Sequence, residues 1–299
     1  MSQALETPAS EALPKTPRLL QPSGELSYAL PSDSRAMRAV IKVIERLTGS
    51  KKIHRLYQRW RVEKYAQGAP FWDSALEMLG VELRLHGAPW PPLVATDEPR
   101  IIIANHPYGL LDGVAAAALA ERLGRNFKVL VHEALLRVPE PQPYLLPVDF
   151  SETREAMQKN LQLRKDALAA LAAGETIVIF PAGGVSTAPK VLGPAEDLPW
   201  KRFTARLIRE AQATVLPLYF PGQNGFVFQA VSRISIRLRI SLFIGAASRQ
   251  LNRPLDICVG EPLRYSQLQA MAGDRDALMD ALRAHVYSLS SRLPGSNDR

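Results

Sequence analysis

The sequence is poor in cysteine and in long apolar runs. Its 299 residues hold one cysteine, Cys258, so no disulfide can close within the chain and no cysteine-based zinc site can be built. No run approaches the ~18 consecutive apolar residues of a membrane span; the longest, such as residues 114–120, are far shorter. The opening segment, MSQALETPASEALPKTPRLLQPSG, has no apolar signal core. The histidines at 54, 86, 106, 132 and 285 show no His-Glu-x-x-His spacing, and no Gly-x-Ser-x-Gly is present. The expectation is an enzyme with no metal and no serine nucleophile. No internal repeat stands out.

Basic residues, by contrast, are in excess. The net charge is +8 and the pI about 9.7, a balance suited to nucleic acid, anionic membrane or acidic small molecules. Between residues 33 and 65, ten Lys and Arg face three carboxylates, so this segment carries nearly all of the excess. Met37, Val40, Ile41, Ile44 and Leu47 recur there at helical spacing. Two readings stay open: a basic amphipathic surface for anionic membrane, or a solvated face packed on the domain by its apolar stripe. No zinc, RNP or other nucleic-acid motif accompanies the charge, so nucleic acid is not expected as a partner.

Three regions follow. Residues 1–32, with five prolines, read as a flexible leader. Residues 33–79 read as a basic helical segment broken near Gly49, and residues 80–299 as an α/β domain. In the last region the pattern alternates: strands at 101–104, 128–131, 176–180 and 215–220, and helices at 114–123, 154–173 and 200–213. Gly174 is placed to end the second of these helices. This succession predicts a mixed, mostly parallel sheet flanked by helices, behind an N-terminal helical extension. Residues 233–242 alternate Ile/Leu with Arg/Ser, the mark of a strand with one wet face. Residues 255–259 predict a last strand and 274–293 a closing helix.

Chemistry concentrates where two apolar strands end. The first runs into Asn105-His106-Pro107-Tyr108-Gly109-Leu-Leu-Asp112-Gly113. In open α/β sheets ligands sit beyond the carboxyl ends of strands. A histidine there can remove a proton near neutral pH, and a carboxylate can hold its tautomer. The bland alternatives are a hydrogen-bonded loop histidine and an Asp112 that merely caps a helix starting at Val114. The second strand runs into Phe180-Pro181-Ala182-Gly183-Gly184-Val185-Ser186. Its glycines can turn backbone N–H groups toward an anion and Ser186 can add a hydroxyl, or the segment is only a tight turn.

Taken together, these blocks resemble the glycerolipid (lysophospholipid) acyltransferase family of the phosphatidic-acid pathway, which carries Asn-His-x4-Asp followed by Phe-Pro-x-Gly about seventy residues on. Residues 135–140 and 145–149 are similar to its intermediate block, and 215–220 to its last. The hemolysin-like, ornithine-lipid-related branch is the more similar one, through Asn-His-Pro-x-Gly, Phe-Pro-Ala-Gly-x-Val-Ser and the turn from Phe220 to Gly225. Residues 80–230 carry the likeness. It implies a glycerolipid-acyltransferase-like fold and acyl transfer from acyl-CoA or acyl carrier protein to a lyso-lipid hydroxyl. His106 and Asp112 are the implied catalytic pair. Asn105, Tyr108, Gly109, Arg137, Phe180, Pro181, Gly183, Gly184 and Ser186 are the implied substrate contacts, and no cofactor is implied beyond the acyl donor. The implied place is the inner face of the cytoplasmic membrane, held peripherally.

The chain also departs from the family pattern. Five residues, not four, separate His106 from Asp112. Ala182 and Val185 stand where the family has Glu and Arg, residues associated with the acceptor's phosphate, which argues against an ordinary phosphate-bearing lyso-acceptor. These departures motivate the alternative of a catalytically inactive, peripheral lipid-binding protein on the same scaffold.

Overall fold

The computed structural model describes residues 35, 50–95, 98–149, 153–188, 193–225 and 248–294. The expected leader, the 233–242 strand and the side chain of Arg137 lie outside the described residues. The helices are α1 (Ser50–Glu63), α2 (Phe71–Leu79), α3 (Leu110–Glu121), α4 (Arg154–Ala172), α5 (Arg202–Ala211), α6 (Tyr265–Leu268) and α7 (Arg275–Ser288). The strands are β1 (Leu83–Gly87), β2 (Arg100–Ala104), β3 (Phe127–His132), β4 (Leu145–Val148), β5 (Thr176–Ile179), β6 (Thr214–Tyr219) and β7 (Leu255–Val259). They form one sheet in the order β1-β7-β6-β2-β5-β3-β4. Strands β6, β2, β5, β3 and β4 run parallel, β1 is parallel to β7, and β7 meets β6 antiparallel. The mostly parallel α/β architecture expected from the alternation is therefore the observed one.

The central strands read as unbroken apolar runs because both of their faces are covered. All of β2 is buried, and its side chains divide by parity. Ile102 and Ala104 join Val178, Leu216, α2, α3 and Trp60 of α1 in one core. Ile101 and Ile103 join Ile177, Ile179 and residues of α4, α5 and α7 in the other. Helix α3 is alanine-rich, and Ala115–Ala118 and Ala120 are fully buried. Alanine is the strongest helix former, and its small side chain lets the helix lie close on the sheet. Helix α4 starts at Thr153, whose hydroxyl accepts from Ala156 N–H, and is followed by Gly174 at φ +82°.

Helix α1 packs on the domain through buried Ile53 and Trp60, and Trp60 Nε1 donates to Ser74 Oγ at 2.9 Å. Several of its cations meet carboxylates: Arg59 with Glu63, Arg61 with buried Glu140, and Lys64, just past its end, with Glu77. Among the described residues no helix is long and apolar enough to cross a membrane.

Two crossovers position the site. From β2 the chain passes over one face through α3 to β3. From β5 it passes over the other face through α5 to β6. The connections thus leave the β2–β5 pair in opposite directions, and in open α/β sheets ligands bind beyond the carboxyl ends of strands at such a point.

Candidate active site

Both conspicuous motifs lie at those strand ends. At the close of β2, the buried Asn105 side chain spans to the end of β6. Its Nδ2 donates to Phe220 O at 2.8 Å and its Oδ1 accepts from Phe220 N–H at 2.7 Å. Asn105 is thus a tie between strand ends, and its amide is committed to backbone rather than to a ligand.

His106 follows. Its Nδ1 stands 3.2 Å from Oδ2 of Asp112, whose side chain is fully buried. The Nδ1 position is not aligned for a hydrogen bond, and the other carboxylate oxygen, Oδ1, also has no donor. Hydrogen bonds at active sites are often long or poorly aligned until substrate binds. The imidazole stacks on Phe180, with ring centroids 4.0 Å apart and planes at 29°. Phe180 therefore comes from the second motif as a platform for the imidazole.

Helix α3 starts at Leu110, not at Val114 as expected, because Asp112 acts from the third helical position rather than as the N-cap. Its Oδ2 reaches back to the N–H groups of Tyr108 (2.7 Å) and Gly109 (2.9 Å). Gly109, at φ +85° and ψ −103°, occupies backbone space open essentially to glycine alone. This turn takes up the extra residue between His106 and Asp112. The capping reading and the histidine-partner reading of Asp112 thus describe one carboxylate. Burial pushes its pKa up, opposed by His106 and by the two amides. Burial and nearby Asp112 push the Tyr108 phenol up to about 12. A Cβ on Gly222 would come within 2.1 Å of the Tyr108 hydroxyl, and Asn224 donates to Tyr108 O at 3.3 Å. The turn from Phe220 to Gly225 thereby packs against the His106 loop.

The second motif differs from expectation in detail. Gly183, at φ +68°, donates its N–H to Phe180 O at 2.9 Å, so this amide closes the turn. Pro181 O accepts from Lys201 N–H. Ala182 and Val185 are buried in the protein. Ser186 is buried too, and its hydroxyl donates to Asp197 Oδ1 at 2.5 Å rather than standing open to a ligand. Among the described residues the Gly184 N–H has no protein partner.

Sequence reasoning missed Asp197. Its carboxylate accepts from Ser186 Oγ, from His106 N–H at 3.1 Å and from Trp200 Nε1 at 2.9 Å. It lies in a proline-containing loop without periodicity, where a lone aspartate carries no signal. His132 closes β3 as an exposed residue, and Cys258 is buried in β7 with its thiol pushed up to about 11 by burial. Among the described residues no cluster of His, Cys, Asp and Glu is arranged to hold a metal ion.

A buried carboxylate beside a strand-end histidine that stacks on Phe180 is an arrangement able to move a proton. The model of the acyltransferase family matches residues 94–295, and the chain belongs to that family. The chain is also similar to the crystal structure of the 1-acyl-sn-glycerophosphate (LPA) acyltransferase PlsC from Thermotoga maritima. That similarity has a TM-score of 0.48 and 15% identity, and covers 87% of this chain and all of that one. No curated protein matches the sequence.

Proposed function

We propose that this acyltransferase moves a fatty acyl group from acyl-CoA or acyl carrier protein to the hydroxyl of a lyso-lipid, with His106 as general base and Asp112 as its partner. The observation that carries the reading is the 3.2 Å approach of His106 Nδ1 to the fully buried Asp112 carboxylate. That contact leaves Nε2 as the nitrogen to take a proton. The acceptor hydroxyl gives its proton to Nε2 while its oxygen bonds to the thioester carbonyl carbon. The tetrahedral oxyanion meets the Gly184 N–H. On collapse the C–S bond breaks, and the departing thiolate takes the proton back from the imidazolium. Asp112 supports the imidazolium between these steps. A well-placed base contributes roughly 10²–10⁴-fold to such a reaction.

The acceptor belongs, in this reading, to the lysophospholipid or ornithine-lipid type of the hemolysin-like branch. Within that pair, apolar Ala182 and Val185 favour the phosphate-free ornithine-lipid type, since this turn brings no charge to a phosphate. The enzyme works peripherally on the inner, anionic face of the cytoplasmic membrane. Two features support that placement. Basic α1 carries exposed Lys52 and Arg59. Met157 and Leu161, one turn apart on α4, are 72% and 49% exposed. They sit near the end of β4, where Asn160 bonds to Asp149, on the side of the sheet that carries His106.

The test is acyl transfer from labelled acyl-CoA and acyl carrier protein to a panel of lyso-lipids, wild type beside His106→Ala. Transfer that falls at least 10²-fold in the variant supports the reading. Activity indifferent to His106 refutes it, and an idle lipid-binding role then takes its place.

A further inference from the structure

The carboxylate beneath the His106 loop belongs to no motif, yet it accepts from the backbone of His106 and from two side chains around it. We infer that Asp197 is the positioning residue that holds His106 in register with Asp112, and that the C-terminal helix α7 holds Asp197 in turn. The inference rests on His106 being the base, as proposed above.

Asp197 is 5% exposed, and a carboxylate so deeply buried requires compensation. Three donors supply it. Oδ1 accepts from the His106 N–H (3.1 Å) and the Ser186 hydroxyl (2.5 Å), and Oδ2 accepts from Trp200 Nε1 (2.9 Å). Ser186 then returns its own N–H to His106 O at 2.8 Å. Both peptide groups of His106 are therefore clamped by one strap, made of the described segments 186–187 and 196–197. Paired N–H···O bonds between Thr187 and Glu196 close this strap on itself, at 3.0 and 3.2 Å.

The strap is pinned from outside by α7. The Asp197 N–H donates to the Tyr287 hydroxyl at 2.8 Å. Arg283 Nη2 donates to Asp197 O at 3.1 Å and to Glu196 Oε2 at 2.9 Å. The Arg283 guanidinium also lies over the Tyr287 ring, 4.7 Å from its centroid.

Asp197 meets the backbone of His106 and leaves the ring to Asp112 and Phe180, so its role is placement rather than chemistry. Displacing a catalytic group by 1 Å can cost about 10²-fold in rate. An amide cannot replace this carboxylate. An asparagine oriented to accept from His106 and Ser186 would point its NH2 at the Trp200 N–H, donor against donor.

The experiment compares wild type, His106→Ala, Asp197→Asn, Tyr287→Phe and Ser74→Ala in acyl transfer with saturating donor, alongside 15N spectra of histidine-labelled protein. Ser74→Ala breaks a buried hydrogen bond in the α1–α2 region, away from the site, and calibrates what destabilisation alone does to turnover. The expected result is a kcat for Asp197→Asn about 10–100-fold below wild type with KM within about threefold. Tyr287→Phe should lose less, and its milder change keeps the test available if Asp197→Asn fails to fold. Ser74→Ala should retain kcat per folded molecule, and the His106 ring signals should move in both strap variants. Inactive His106→Ala beside fully active strap variants, or unmoved His106 signals, overturns the role of Asp197 alone. Turnover by His106→Ala overturns the base assignment and this inference with it.

Discussion

Replacing Asp112 by asparagine should separate activity from stability. The wild-type carboxylate lies 3.2 Å from His106 Nδ1. At an effective dielectric of about 20, a unit charge pair at that distance is worth about 5 kcal/mol. This is the support lost when imidazolium forms beside a neutral amide, and it corresponds to roughly 10³–10⁴-fold in kcat. The fold should not suffer equally. The asparagine carbonyl can still accept from the N–H groups of Tyr108 and Gly109, now met by Asp112 Oδ2 at 2.7 and 2.9 Å. The sign of the pH effect follows from burial. Because the folded-state pKa of Asp112 is raised, the group favours folding below its unfolded pKa, and that contribution is lost as pH rises through the folded value. At neutral pH the charged form therefore costs stability, and Asp112→Asn removes the cost. Thermal melts from pH 4 to pH 8 should show the variant gaining on wild type as pH rises, while acyl transfer at pH 7.5 is nearly abolished. A variant within tenfold of wild-type kcat, or one that melts progressively lower than wild type as pH rises, would refute the reasoning.

Other outcomes follow from the same geometry. Phe180→Ala removes the platform under the imidazole, 4.0 Å away. It should lower kcat about tenfold or more while leaving the protein folded, checked by steady-state kinetics beside circular dichroism. Cys258, buried with its thiol pushed up to about 11, should resist a thiol reagent at pH 8 in the native protein and react at once in denaturant. His285 has its pKa lowered by burial and by Arg292. Its neutral form supports the fold above the ordinary imidazole pKa, and that support is lost as pH falls through the folded value. The melting temperature of His285→Gln should accordingly drop less than that of wild type between pH 7.5 and pH 5.

The layered fold was legible because burial on both faces leaves a direct trace, an apolar run such as Ile101-Ile-Ile-Ala bounded by turn residues. The pattern was weaker where elements are short or lie at the sheet edge. Strand β1, Leu-Arg-Leu-His-Gly, alternates over only five residues. Strand β4 contains Pro147, which an edge position tolerates because one side needs no ladder bond. Helix α2 was absorbed into the basic segment, although Phe71, Trp72 and Leu76 bury it in the core. At the site, strand-end motifs pointed to His106, Asp112 and Phe180, which local chain geometry brings together. They did not show that the polar groups of Asn105, Ser186 and Gly183 bond to Phe220, Asp197 and Phe180. Hydrogen-bond partners from distant segments decide such roles, and spacing along the chain does not encode them. Asp197 was invisible for the same reason: its donors come from residues 106, 186 and 200.

The pairing of β1 with β7 also sets a timetable. Among the described residues β1 is an edge strand whose one neighbour in the sheet is β7, and the His86–Asp256 contact across that pair joins residues 170 positions apart. A ribosome adding about 5–20 residues per second needs roughly 10–30 s to cover that interval. Throughout it β1 waits for β7, its described partner, although the strands from β2 to β6 have become available to one another. The growing chain is therefore at its most adhesive late in synthesis, just before the segment that completes the sheet emerges.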